Sequence, residues 1–260
     1  MVRPIPIGIC VSPERLPQVA PGYDFCELTV VGALTPSVDD ATFASEATRL
    51  AQLVPHVRGF NSFLPGDLKV VGPQVDWDAV ERYATTAIAR AGALGGQTIV
   101  LGSGMARMIP EHYARALAWG QLVRFASFCA DVAELHGVTI VIEPLNHTES
   151  NILNTYLEAV ELAKDVARPR SVRVLADIYH FMMDAEPLDD LLKAPEWLAH
   201  VHLADTGRRF PGSGAYPNER LFAILKDIGY CGRVSVECSW GNDLTDESGR
   251  ALAFLGPLAG

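Results

Sequence analysis

Short runs rich in β-branched and other apolar residues alternate with longer amphipathic segments along the whole 260-residue chain. Eight such runs predict strands, at 5–11, 25–31, 57–64, 98–102, 139–145, 172–178, 198–205 and 233–239. Between them, segments such as 77–94 and 114–135 place apolar residues three and four positions apart, which predicts helices. Repeated strand-helix units in this number predict an α/β fold that closes into a (β/α)8 TIM barrel.

The connections predict one domain. The segment 12–24 holds three prolines and therefore supports little helix. Glycine and proline are otherwise spread through the connections, with no linker or shift in composition, so residues 1–260 are expected to form a single TIM-barrel domain. A doubly wound open sheet is the alternative, but no glycine-rich fingerprint follows the first strand.

Charge and composition exclude several classes of partner. A formal charge of -10 and a pI near 5.1 oppose non-specific attraction to nucleic acid or to an anionic membrane. No apolar run approaches the roughly 20 residues of a membrane span, and the start of the chain lacks the features of a signal peptide. The five cysteines are scattered without a C-x-x-C pair and are expected to be reduced thiols. We therefore expect a cytoplasmic protein with a small-molecule substrate.

Four side chains that can bind a metal lie at or near the ends of four successive predicted strands: Glu143, Asp177, His202 and Glu237. Singly, each is better explained as a solvated strand end or a helix cap. As a set at equivalent positions they favour a common site, because barrels of this kind place their chemistry at the C-terminal ends of the strands. Three carboxylates and one imidazole suit Mn²⁺, Mg²⁺ or Co²⁺, with Zn²⁺ less favoured.

Other polar residues leave two interpretations open. His200 shares the strand face of His202 but lies deeper, where a ligand and a hydrogen-bonded core histidine are equally expected. His180 is predicted to lie in a loop, either facing a substrate or on the surface. Arg107 either meets an anionic substrate group or is a surface arginine. Glu27 and Asn61, at the ends of strands two and three, are either substrate contacts or ordinary strand-end residues.

Four segments in the second half of the chain resemble the xylose isomerase-like barrel superfamily, on its branch of sugar isomerases and epimerases. They read "IEPLNHTESN", "DIYHFMMDAE", "HVHLADTGRRFPGSG" and "IGYCGRVSVE". The first half matches in pattern only, and "CSW" follows the last glutamate where the epimerases usually have proline. The resemblance implies that the four strand-end residues are metal ligands and that Glu143 and Glu237 are also the acid/base pair. It further implies that Glu149, His180 and Arg208 contact the substrate.

The resemblance implies a divalent-metal-dependent sugar isomerase or epimerase. Such an enzyme moves a proton next to the carbonyl of a ketose or small keto sugar, through an enediolate. A metal-dependent dehydratase or lyase acting on a keto-inositol or keto-sugar is the alternative, because it begins with the same proton abstraction. An endonuclease IV-like nuclease and a non-catalytic sugar-binding barrel are less favoured. Barrels of this kind often pair, so a homo-oligomer is compatible with the resemblance.

Overall fold

The computed structural model of the protein describes residues 4–260 and shows a closed barrel of eight parallel strands, each paired with its neighbours in sequence order and the last with the first. Every strand lies within the range that the sequence predicts. The strands are β1 (Ile7–Cys10), β2 (Phe25–Thr29), β3 (Val57–Asn61), β4 (Thr98–Leu101), β5 (Thr139–Ile142), β6 (Val172–Asp177), β7 (Leu198–Leu203) and β8 (Arg233–Val236). The predicted (β/α)8 TIM barrel is confirmed, and the open sheet is wrong.

Helices connect the strands and pack around the barrel. They are α1 (Asp40–Ala51), α2 (Trp77–Ala93), α3 (Gly104–Arg107), α4 (Arg115–His136), α5 (Tyr156–Val166), α6 (Ile178–Met183), α7 (Asn218–Asp227) and α8 (Leu244–Ala259). As the prolines predict, only a short 3-10 turn, Leu16–Gln18, lies between β1 and β2. No helix within residues 4–260 has the length and hydropathy needed to cross a membrane.

The barrel interior is apolar on one side and polar on the other. Strand side chains alternate between the two faces, so every second residue points inward. On β4, β5 and β6 the inward layer consists of Val100, Val141 and Leu175, which pack together as a separate buried cluster. On the opposite side, the fully buried Glu27 of β2 and Ser235 of β8 contribute polar side chains. The next inward positions toward the C-terminal ends of β5 and β6 are Glu143 and Asp177.

Arg107 has a structural role at this end of the barrel, and both interpretations of it from the sequence are wrong. It ends the short helix α3 and is fully buried. Its guanidinium donates hydrogen bonds to the carbonyl oxygens of Leu101, at 3.1 Å, and Leu153, at 3.3 Å. Burial lowers the pKa of Arg107 to about 10, although Glu143 opposes that shift. The side chain thereby fastens the end of β4 to the loop that follows β5.

Replacing Arg107 with alanine should destabilise the fold. The variant removes a charged hydrogen bond from each of two carbonyl oxygens, which keep only a backbone N–H donor, and it leaves a cavity where the buried side chain packs. We therefore expect the free energy of unfolding to fall by about 2 to 4 kcal/mol. Denaturant unfolding measures this change. The control is Arg220→Ala, which removes an exposed pair with Asp189 and should cost about 1 kcal/mol or less. Equal losses in the two variants would contradict the role assigned to Arg107.

Candidate metal centre and active site

The four strand-end residues come together at the mouth of the barrel. Glu143, Asp177, His202 and Glu237 each offer one ligand atom, and these atoms all lie within 4.8 Å of one another. Nδ1 of His202 is 3.7 Å from Oε1 of Glu143 and 3.4 Å from Oε2 of Glu237. Asp177 and His202 are fully buried, whereas Glu237 is partly exposed. The geometry therefore groups three carboxylates around one imidazole nitrogen.

Two buried polar atoms of this group have no hydrogen-bond partner within residues 4–260, and they fit a divalent cation. Asp177 uses Oδ1 to accept a hydrogen bond from the backbone N–H of Tyr179, at 2.7 Å, which caps α6. Its Oδ2 has no partner among the described residues, and neither has Nδ1 of His202. Buried polar atoms are rarely left unsatisfied unless an unseen partner or a function accounts for them. A carboxylate-rich set with one imidazole suits a hard or borderline divalent metal.

The charges of the group shift its pKa values in opposite directions. Burial and the nearby carboxylates of Glu237 and Glu143 raise the pKa of Asp177 well above its usual value. Burial would lower the pKa of His202, but Glu27 and Glu237 outweigh it and raise that pKa well above normal. Burial would also raise the pKa of Glu237, yet His202 and Arg208 hold it at about 2. Repulsion among the carboxylates is therefore the electrostatic cost that a cation would offset.

His180 belongs to a helix rather than a loop, so that part of the sequence prediction is wrong. It lies in α6, because Asp177 caps a helix directly after β6, and it is only 4% exposed. Its Nδ1 accepts a hydrogen bond from the backbone N–H of Asn146, at 3.2 Å. Its Nε2 is 3.6 Å from Oδ2 of Asp177 and 4.0 Å from Oε1 of Glu143. The imidazole therefore faces the metal-ligand group and not the surface.

Arg208 and Glu149 lie at the rim of the same mouth. The guanidinium of Arg208 is 3.2 Å from Oε2 of Glu237 and stacks over the ring of Tyr179, 4.4 Å from its centroid. Glu149 is partly exposed and accepts a hydrogen bond from the side-chain amide of Asn146, at 3.0 Å. Asn146 thus links Glu149 to His180. All seven residues that the resemblance assigns to the site lie at this end of the barrel.

Several residues support the site through contacts that the sequence did not predict. The side-chain amide of Asn61, at the end of β3, donates a hydrogen bond to Oε1 of Glu237, at 2.7 Å. Glu27 accepts hydrogen bonds from both His200 and His202 inside the barrel. Gly102 leaves room for Glu143, because a Cβ atom there would overlap Oε2 of that side chain. Strand position drew attention to Glu27 and Asn61, but it did not indicate which side chains they contact.

The chain belongs to the xylose isomerase-like TIM barrel family, whose profile matches residues 20–258. It is similar to a D-psicose 3-epimerase of Agrobacterium fabrum, 36% identical over 109 residues, which are 42% of this chain and 37% of that protein. The chain likewise covers only 41% of a D-psicose 3-epimerase of Ruminiclostridium cellulolyticum. It is 28% identical to an L-ribulose 3-epimerase of Methylomonas sp. over 261 aligned residues, which are 90% of this chain and 86% of that protein. The chain therefore spans less than half the length of the first two relatives.

Solved structures share the fold. A D-psicose 3-epimerase crystallised in the presence of D-fructose superposes with a TM-score of 0.82 and 21% identity, covering 98% of this chain and 100% of that one. The IOLI protein, solved with a zinc atom, gives a TM-score of 0.70 with 19% identity, covering 98% of this chain and 96% of that one. At these identities the likeness supports the barrel architecture alone.

Replacing Gly102 with alanine should weaken metal binding. The added methyl group would displace the carboxylate of Glu143, so we expect the affinity for Mn²⁺ to fall about tenfold or more. Isothermal titration calorimetry measures it. Gly120→Ala is the matched control, because no atom lies within 4 Å of the Cβ position there. If the Gly102→Ala protein binds Mn²⁺ as tightly as the Gly120→Ala protein, the room that Gly102 leaves for Glu143 is not needed for metal binding.

Metal affinity should rise with pH. Asp177 and His202 both have raised pKa values, so in the metal-free protein they retain protons that must leave before these atoms can bind a cation. We expect Mn²⁺ binding to weaken as pH falls and to release protons. Calorimetry in two buffers with different protonation enthalpies counts the protons. Binding that is independent of pH and buffer would show that these groups do not hold the metal.

Proposed function

We propose that the protein is a divalent-metal-dependent sugar isomerase or epimerase that moves a proton next to the carbonyl of a ketose or small keto sugar. The observation that carries this proposal is the pair of carboxylates, Glu143 and Glu237, that both lie within 4 Å of Nδ1 of His202. Relatives named as D-psicose and L-ribulose 3-epimerases support the same class of reaction. Relatives named inosose isomerase make a keto-inositol a further candidate substrate.

The proposed metal ligands are the four strand-end residues. The three carboxylates favour Mn²⁺, Mg²⁺ or Co²⁺ over Zn²⁺, although the related IOLI structure contains zinc. When bound, such a cation polarises a substrate carbonyl and stabilises negative charge on its oxygen. Asp177 and His202, which are fully buried, would fix the position of the site, while Glu143 and Glu237 take part in proton transfer as well.

Proton transfer is assigned to Glu143 and Glu237. Glu237 is held as an anion by His202 and Arg208, so its carboxylate is free to accept a proton from carbon. Glu143 comes from β5, three strands from β8 in the closed barrel. If it returns the proton from the opposite side, the configuration at that carbon inverts, and the outcome is epimerisation. If the proton is instead moved between neighbouring carbons on one face of the substrate, the outcome is aldose-ketose isomerisation.

Three residues at the mouth of the barrel are proposed to contact the hydroxyl and carbonyl oxygens of the substrate. Arg208 and the Nε2–H of His180 are donors directed at the carboxylate group. Glu149 is an acceptor for hydroxyl groups farther along the sugar. Asn146 contacts both His180 and Glu149 and would keep their spacing constant. A neutral polyol chain suits this mixture of donors and acceptors better than an anion alone does.

Three further proposals concern the number of domains, the exclusion of nucleic acid and the alternative reaction. One closed barrel runs from β1 to β8, which supports a single domain over residues 4–260. The net charge of -10 argues against a nucleic-acid substrate. A dehydratase or lyase would begin with the same proton abstraction but would release water or a fragment.

Chelation followed by assay on a panel of free ketoses and keto-inositols tests this proposal. We expect activity to disappear on metal removal and to return with Mn²⁺ or Co²⁺. NMR in D₂O then locates solvent deuterium on carbon: at C3 it indicates epimerisation, and at C1 or C2 isomerisation. Release of water or a carbon fragment would favour the lyase instead. Cleavage of abasic DNA with no change in any ketose would refute the proposal.

Glu143→Gln and Glu237→Gln should each lower kcat by about 10² to 10⁴-fold. Glutamine keeps the shape of the side chain but can no longer accept the proton. Glu161→Gln, an exposed change on α5, is the control and should leave kcat unchanged. Because the two glutamates are also proposed ligands, metal content is measured in every variant. A metal-loaded Glu143→Gln or Glu237→Gln protein with normal kcat would remove that residue from proton transfer.

A further inference from the structure

Glu27 is a buried carboxylate inside the barrel, directly behind the proposed metal centre. It is fully buried, and three side chains donate hydrogen bonds to it. Nε2 of His202 lies 3.0 Å from its Oε1, and Nε2 of His200 lies 2.9 Å from its Oε2. The hydroxyl of Ser235 donates to Oε2 as well, at 2.9 Å. A buried carboxylate is costly unless it is paired in this way, so the contacts define its position closely.

The barrel is built to accommodate this side chain. Gly59 on the neighbouring strand β3 faces Glu27, and a Cβ atom at residue 59 would lie 3.0 Å from the carboxylate carbon. His200 and His202 present their rings from the same face of β7, with the ring planes at 81° to each other. Glu27 bridges the two rings, because each of its oxygens faces the Nε2 atom of a different imidazole.

This position determines which nitrogen of His202 faces the other carboxylates. Because Nε2 faces Glu27, Nδ1 faces Glu143 and Glu237 and has no hydrogen-bond partner within residues 4–260. An imidazole that binds a metal through one nitrogen keeps its proton on the other, where a carboxylate commonly accepts it. Without Glu27, the strongest acceptors near the ring would be the carboxylates on the Nδ1 side. They would draw the proton to the nitrogen that must be free for a metal.

We propose that Glu27 is a positioning residue that keeps the proton of His202 on Nε2 and so directs Nδ1 toward the divalent metal. This inference rests on the proposed function, because it assumes that the four strand-end residues bind a cation. His200 and Ser235 contribute by holding Oε2, so that the carboxylate cannot rotate away from His202. Glu27 itself does not contact the substrate or the metal.

A second arrangement of the same residues makes a different prediction. Cys10, Glu27 and His202 also offer ligand atoms that lie within 4.8 Å of one another. A metal held there would bind Nε2 of His202 and the carboxylate of Glu27 directly. The two arrangements differ in whether Nδ1 or Nε2 of His202 binds the metal, and NMR of this one ring distinguishes them.

The experiment is ¹⁵N NMR of histidine-labelled protein loaded with Zn²⁺, a diamagnetic probe. The His202 signals are identified by their loss in His202→Gln. We expect Nδ1 to show the shift of a coordinated nitrogen and Nε2 to carry a proton protected from exchange with water. A coordinated Nε2 would overturn the proposal. If no His202 signal responds to Zn²⁺, both this inference and the proposed metal centre are wrong.

Glu27→Gln provides the second measurement. We expect its affinity for Mn²⁺ to fall about 10- to 100-fold. Ser235→Ala removes the hydroxyl that contacts Oε2 of Glu27 and Nε2 of His200 but leaves the contact between Glu27 and His202 in place, so its affinity for Mn²⁺ should fall less than that of Glu27→Gln. If wild type binds Mn²⁺ and Glu27→Gln binds it equally well, the role of Glu27 is refuted while the proposed function stands. Should Glu27→Gln fail to fold, the nitrogen assignment in the wild-type protein decides the question.

Discussion

Burial of negative charge at the mouth of the barrel is the constraint on which the other features of this site depend. Glu143, Asp177 and Glu237 lie within ligand distance of one another, and Glu27 lies just beneath them. His202 and Arg208 are the nearby cationic groups that lower the pKa of Glu237. At a largely buried site, like charges at this spacing repel strongly unless a proton or a cation separates them. A divalent cation held by these residues would relieve that repulsion, whereas a proton would relieve it only by neutralising one of the carboxylates.

The strand-end side chains rest on a second layer of inward-facing side chains deeper in the barrel. Because inward side chains recur every two residues, each proposed ligand has a supporting residue two positions earlier along the chain. Under Glu143 and Asp177 these are Val141 and Leu175, which form an apolar layer. Under His202 and Glu237 they are His200 and Ser235, which bond to Glu27. Packing thus supports two of the proposed ligands, and a buried hydrogen-bond network supports the other two.

The sequence predicted those parts of the structure that depend on position along one strand. Strand number, barrel closure and the four strand-end residues follow from periodicity and from the rule that chemistry lies at the C-terminal ends. Contacts between strands far apart in sequence were not predictable in this way, as with Asn61 and Glu237, which are 176 residues apart. His180 was misplaced because Asp177 also acts as a helix cap. Arg107 was misjudged because α3 carries a charged side chain back into the interior, where carbonyl oxygens bind it.

The two proposed proton carriers are the same residue type in different surroundings, and this difference has consequences for the reaction. Glu237 is fixed by Asn61 on one oxygen and by Arg208 on the other, and these donors stabilise its anionic form. Oε2 of Glu143 occupies the space beside Gly102. Its Oε1 lies 4.0 Å from Nε2 of His180 and 3.7 Å from Nδ1 of His202. Donors on both oxygens hold the carboxylate of Glu237 in one orientation and lower its pKa, whereas the orientation of the Glu143 carboxylate depends on the space left beside Gly102. The proton transfer assigned to Glu237 would therefore depend on Asn61 and Arg208, and that assigned to Glu143 on the volume of residue 102.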